Sequence, residues 1–213
     1  MYNGQGLALL EQNLEPHVVA RLTWPTQLSN GQVVEASIQG YTGKYVVSGS
    51  PFRFRGRGDS DTPDGTGGNR GFQDQRVAGS FIWYPQPFGF QTEWNVGRGP
   101  GLNDAQERVE TRPLQGGYAM AMYKIDTARH GIFTPYARYQ YYRGGYKSLP
   151  NAPYGTRYGW DIGTEWQIRK EMELTLEYGI VDGVNVNAID KDGAFSYRNF
   201  SGGILRAQFQ FNY

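Results

Sequence analysis

The chain has 213 residues, 21 basic and 20 acidic, for a net charge of +1, with no Cys, 30 Gly and a 15% aromatic share that includes 16 Tyr. This balance gives no global pull toward nucleic acid or an anionic surface, and the absence of Cys removes disulfide scaffolds, thiolate metal sites and cysteine nucleophiles together. The mean hydropathy of -0.62 and the lack of any run of about 18 apolar residues exclude a membrane-spanning helix, but not a transmembrane barrel, whose strands hide their apolar residues by alternation.

Period-two alternation dominates from residue 17 onward and predicts extended structure. In HVVARLTW, Val18, Ala20, Leu22 and Trp24 share one face, with Arg21 and Thr23 on the other. The turn PTQLSNG leads into a long strand over Gln32 to Val47, where Val34, Ala36 and Ile38 oppose Glu35, Ser37 and Gln39. Ser48 to Gln75 is polar and Gly-rich and reads as a loop. Val77 to Tyr84 is extended, Pro85-Gln86-Pro87 turns it, and Phe88 to Arg98 alternates Phe90, Thr92, Trp94 and Val96 against Gln91, Glu93 and Asn95. A second polar loop runs to about Pro113, followed by a strand over Leu114 to Ile125 and a short turn over Asp126 to Gly131. Ile132 to Arg143 places Phe133, Ala137, Tyr139 and Tyr141 against Thr134, Arg138 and Gln140. After a Gly/Pro/Asn loop over Gly144 to Gly155, Tyr158 to Arg169 alternates Trp160, Ile162, Thr164, Trp166 and Ile168 with Asp161, Gly163, Glu165 and Gln167. Lys170-Glu171 turns tightly into Met172 to Asp182, where Leu174, Leu176, Tyr178 and Ile180 oppose Glu173, Thr175, Glu177 and Gly179. A last loop, Gly183 to Arg198, precedes the strand Asn199 to Tyr213.

This gives nine strands, no helical period, and connections that alternate between short (near residues 28, 86, 128 and 170) and long (near 60, 105, 150 and 190). Short turns on one side and long loops on the other are the pattern of an outer-membrane barrel. A soluble sandwich spaces its turns more evenly. One strand face carries Val, Leu, Ile, Ala, Trp, Phe and Tyr, and the other carries the charged and amide residues. Alternation by itself leaves open which face is inside. Aromatics near strand ends, among them Trp24, Trp83, Trp94, Tyr123, Trp160 and Trp166, fit interfacial girdles.

The chain ends in LRAQFQFNY, with Leu205, Ala207, Phe209, Phe211 and Tyr213 at every second position and Arg206, Gln208, Gln210 and Asn212 between them. This resembles the terminal signal by which the barrel-assembly machinery recognises outer-membrane proteins of Gram-negative bacteria. An amphipathic closing strand of another β protein is the alternative. Near the other end, YNGQGL, HVVARLTWP and SNGQVVEASIQGYTGKYVV resemble the phosphate-selective porin family of the O and P type, and the resemblance runs from Tyr2 to Tyr213. It implies an all-β, antiparallel transmembrane β-barrel, sixteen-stranded and trimeric, with outer-membrane lipid and lipopolysaccharide around it and small anions such as phosphate within. It implies no cofactor, no metal and no nucleic acid. Family members are longer and begin with a signal peptide, whereas MYNGQGLALLEQNLE has no basic segment followed by an apolar one. Nine strands would also leave the two ends on opposite sides of a membrane, where single-chain barrels have even strand numbers. Residues 1–213 are therefore expected to form one barrel domain that is a C-terminal fragment lacking its leading strands.

A diffusion pore needs charged groups along a wet lumen and no catalytic group. In PFRFRGRG, Arg53, Arg55 and Arg57 recur every second residue, so an extended segment presents all three on one face, and guanidinium suits phosphate through paired hydrogen bonds. A solvated outer loop, touching lipopolysaccharide phosphates, is the other reading. On the polar strand face, Arg21, Arg138, Arg206 and Lys124 are anion-pathway candidates. The same face carries Glu35, Glu93, Asp161, Glu165 and Glu177, which is not a basic balance and keeps a general, weakly selective pore in view. Asp59, Asp61 and Asp64 before Gly65 fail the spacing of a calcium loop and lack its closing Glu. An outer-membrane barrel enzyme would need His beside Ser, Asp or Glu. His17, expected at an interface, and His130, expected in a turn, are the only histidines. A soluble ligand-binding barrel is the third class.

Overall fold

The computed structural model describes residues 16–47, 71–104, 109–149, 152–187 and 196–211. They form one antiparallel sheet and, among the described residues, no helix. The strands are β1 (Val18–Gln27), β2 (Val33–Tyr45), β3 (Phe72–Trp83), β4 (Phe88–Leu102), β5 (Val109–Tyr123), β6 (Ile125–Thr127), β7 (Gly131–Gly145), β8 (Tyr154–Arg169), β9 (Met172–Asn187) and β10 (Ser196–Phe211). Their order is β1-β2-β3-β4-β5-β7-β8-β9-β10, with β6 pairing β7. Every strand but β6 has the roughly 9–11 residues that a tilted strand needs to cross a bilayer. The sheet is open, and β1 and β10 each pair on one side only among the described residues.

The register places the predicted faces as the alternation reads them. Ser37 lies opposite Ser80, Arg138 opposite Asp161 and Arg206 opposite Glu177, all on the polar face. That face is the enclosed one: Ser37, Asp74, Asp161 and Glu177 are buried, while Ile38, Val77, Trp94, Trp160, Ile162 and Tyr178 stand exposed on the other. A water-soluble fold buries its apolar face. Here the partition is inverted, which is the arrangement for lipid outside and water inside.

Several boundaries differ from the sequence reading: β4 runs on to Leu102, β8 begins at Tyr154, β9 runs on to Asn187 and β10 begins at Ser196, each inside a stretch expected to be loop. β3 begins at Phe72 and β5 at Val109, so parts of both polar stretches read as loop are strand. The residues Arg98-Gly-Pro-Gly suggested a loop, yet Pro100 pairs Thr111 and Arg98 pairs Pro113. Proline is tolerated there because above Gln115 β5 pairs with β4 alone, so its missing N–H costs no second ladder bond. The expected strand Leu114 to Ile125 is split in two. β5 pairs β7 as far as Met122↔Tyr136, and β6 resumes at Ile125↔Phe133. Pro135 sits at that gap and cannot donate to the ladder.

The short connections are tightly built. Gly31 has φ +83°, a backbone state that glycine adopts without steric cost. Buried Gln32 donates from Nε2 to the carbonyls of Tyr84 (3.1 Å) and Phe88 (3.0 Å), tying the β1–β2 turn to the β3–β4 turn. The apolar core is small and lies at the opposite end. Tyr45, Val47, Phe72, Leu102, Val109 and Ala152 cluster where the long connections begin.

Candidate functional site

The enclosed polar face carries two constellations. The first is a charge lattice on β7 to β10. Arg138 bridges Asp161 (2.9 Å) and Glu177 (3.3 Å), and Arg206 pairs with the other oxygen of Glu177. The Tyr136 hydroxyl donates to Glu177 (2.9 Å) and Gln140 Nε2 to Asp161 (2.8 Å). Strand pairing creates this lattice, because the residues alternate inward on adjacent strands at matching register. Two arginines thus meet two carboxylates, and the patch is electrically neutral while strongly polar.

The second constellation is at the end bearing the long connections. The described parts of the segment joining β7 to β8, residues 146–149 and 152–153, stay against the sheet. Ala152 O accepts from Leu102 N (2.8 Å), and Tyr146 N donates to Pro153 O (2.9 Å). The turn this closes sends Lys147 over the polar face, where its ammonium donates to Asp74 on β3. Asp74 is fully buried and also accepts from the Tyr41 hydroxyl (2.8 Å), with Arg76 Nε at 3.5 Å. The ammonium stands 4.5 Å from the Tyr45 ring centroid, within cation–π range. Burial pulls Lys147 below the usual lysine value, and the charge of Asp74 and its hydrogen bond oppose that shift. Nearby, Arg112 stacks 3.9 Å over the Tyr154 ring and pairs with Asp104 (2.9 Å). Arg157, on the enclosed face of β8, is exposed and has no carboxylate partner among the described residues.

Arg138 and Arg206 come together through Glu177, whereas Arg21 stands apart on β1, 3.5 Å from Glu35. Lys124 lies in the break between β5 and β6 at the short-turn end, its backbone N–H bonded to Pro87 O (2.7 Å). Arg53, Arg55, Arg57 and Tyr213 lie outside the described residues, as do Asp59, Asp61 and Asp64. Leu205, Ala207, Phe209 and Phe211 follow the exposed apolar face of β10, with Arg206 between them on the polar face. His17 is not interfacial, as its position had suggested. It is 1% exposed, stacks on Tyr41 (5.6 Å) and places Nε2 3.1 Å from Lys44 O. His130 sits exposed in its turn, and its carbonyl accepts from Trp166 Nε1 (2.6 Å). The sequence reading missed Asp74, Arg76, Arg112, Lys147 and Arg157. For Arg76 a local signal existed, because Phe72, Asp74, Arg76 and Ala78 share one parity.

An open antiparallel sheet with an apolar lipid-type face, a charged enclosed face and a loop folded over that face defines the wall of a transmembrane β-barrel pore. The family model of the phosphate-selective porin O and P matches residues 5–213. The chain belongs to this family, and its kinship is therefore with porins of the phosphate-selective type. No curated protein and no solved structure matches it.

Proposed function

We propose that the chain forms the wall of a pore in the outer membrane of a Gram-negative bacterium, giving passive diffusion of small hydrophilic solutes, with anions such as phosphate favoured. The observation that carries this reading is the inverted partition, with carboxylates and arginines enclosed and large apolar side chains exposed. The short connections face the periplasm and the long ones the exterior. Arg76, Arg112, Arg157 and Lys147 gather at the outer end, with Asp74 and Asp104 among them, and Arg157 is the cation there without a carboxylate partner among the described residues. Arg53, Arg55 and Arg57 extend that basic entrance in this reading.

β1 and β10 are the two edges of the sheet, and unpaired backbone groups cost several kcal/mol each in hydrocarbon. The functional barrel therefore leaves neither edge unpaired, and the family resemblance implies a larger, trimeric porin. Leu205, Ala207, Phe209, Phe211 and Tyr213 serve as the signal read by the barrel-assembly machinery.

A weakly selective pore is the second reading, favoured by the pairing of Arg21, Arg138 and Arg206 with carboxylates. Bilayer reversal potentials in gradients of KCl and of potassium phosphate decide between the two. A clear anion preference supports the first reading and a near-zero potential the second. A cation-selective pore overturns the anion assignment, and release of the protein from membranes by carbonate overturns the porin reading altogether.

A further inference from the structure

The exposed apolar face has an edge, and at that edge it carries a built polar feature that transport through the lumen does not use. On β4 the outward residues run Phe90, Thr92, Trp94, Val96 and then Arg98, and on β7 they run Phe133, Pro135, Ala137, Tyr139, Tyr141 and then Arg143. Between these strands, β5 presents Ala119 and Gly117 and then Gln115 and Pro113. On the far side of β4, β3 presents Phe81, Gly79 and Val77 and then Gln75 and Gln73. Apolar surface thus gives way to polar surface on four strands near one level, on the side of the long connections.

Immediately below that level, Trp94 and Tyr141 stack across β5, with ring centroids 5.9 Å apart and planes 6° from parallel. They meet over Gly117, which pairs both residues. A Cβ on Gly117 would run into the Glu93 carbonyl oxygen and come within 2.8 Å of the Trp94 ring, so a side chain there would collide with both the neighbouring strand and the ring. The glycine therefore makes room for the stacked pair. Arg143 lies two residues above Tyr141, and Arg98 four above Trp94. From strand spacing and rise, their Cα atoms are roughly 12 Å apart. Both arginines are exposed, and neither has a carboxylate partner among the described residues. The other outward residues around them, Gln75, Pro113, Gln115 and Thr156, are uncharged.

Stacked Trp and Tyr rings belong at the headgroup level of a bilayer, and guanidinium groups there meet phosphate bidentately. We infer that Arg98 and Arg143, standing on the Trp94–Tyr141 platform, form a binding site for a phosphorylated lipid of the outer leaflet, the lipid A part of lipopolysaccharide. The site rests on the outer-membrane reading above, and it is separate from the solute path because it lies on the opposite face of the sheet. Two cations at this spacing suit a headgroup with two phosphates, each held by one guanidinium.

The test is native mass spectrometry of the full protein in detergent, titrated with bis-phosphorylated lipid A and with the same lipid stripped of phosphate. The wild type is expected to retain the phosphorylated form at least roughly tenfold better, since one charge-assisted contact supports that ratio and the site supplies two. The double substitution Arg98→Gln/Arg143→Gln is expected to abolish that preference, while Arg129→Gln, in a turn at the other end, leaves it intact. Equal retention of the two lipids by the wild type overturns the site, even where the double variant fails to assemble. So does undiminished preference in a double variant that folds. Loss of the oligomer with lipid preference unchanged would assign this face to a second copy of the chain and overturn the proposal as well. Conductance measured on the same preparations separates the two readings: a pore that conducts but ignores lipid phosphate refutes only the lipid site.

Discussion

Glu177 holds the charge lattice together. It is 9% exposed and receives Tyr136, Arg138 and Arg206. Replacing it by Gln removes a negative charge from the wall and leaves Arg206 without its partner. The reversal potential in a KCl gradient is expected to move toward anion preference, and unfolding in urea is expected to become easier by about 1.5–3 kcal/mol for the lost charge-assisted bonding. An unchanged potential would show that this patch faces no ion path. Arg157→Gln, by contrast, removes a cation with no carboxylate partner among the described residues. It is expected to lower anion preference with a stability change within about 0.5 kcal/mol, as for a surface substitution.

At the scale of elements, Lys147 fastens the segment between β7 and β8 to Asp74 on the polar face, which in the proposed pore narrows the outer mouth. Replacing residues 146–153 with a short Gly-Ser turn should raise single-channel conductance, and an unchanged conductance would show that this segment does not limit the pore. The clamp also has a pH dependence of definite sign. Burial sets Lys147 below the ordinary lysine value, and the ammonium and its bond to Asp74 belong to the low-pH side of that lowered value. They are lost as pH rises through that lowered value, before an exposed lysine would titrate. Tyr146 is pushed upward by its own burial, so its hydroxyl ionises later than that of an exposed tyrosine. Conductance should therefore rise as pH rises through the lowered lysine value in the wild type and show no such rise in Lys147→Met. The faces of the long strands were legible in the sequence, since period two depends on pleat alone. The Lys147–Asp74 contact was not, because its partners lie 73 residues apart and no local rule joins a loop lysine to a strand carboxylate. The upper parts of β3 and β5 were hidden for a related reason. Glycine, proline and amides suggest a loop locally, and only pairing to a neighbour reveals them as strand.

For the molecule as a whole, the exposed apolar face requires a bilayer. Reconstituted into liposomes, the strands should be protected from added protease while the long connections are cut. Cleavage inside the strands β7, β8 or β9 themselves would contradict a spanning barrel. The enclosed face was identifiable only from the structure, because alternation is symmetric under exchange of inside and outside. Burial of Asp74, Asp161 and Glu177 beside exposed Trp94, Trp160 and Ile162 breaks that symmetry.

The strand order, in which each long strand bonds its neighbours in sequence, makes the circumference of such a wall a countable quantity. A hairpin can be gained or lost by duplication or deletion in the gene without rethreading any other strand. Each such event changes the girth by two strand spacings, roughly 10 Å measured across the strands. The Gln32 bonds to the neighbouring turn show where the cost of removing one hairpin would fall. Bore diameter in this lineage can therefore evolve in discrete steps, separately from the charges that line it.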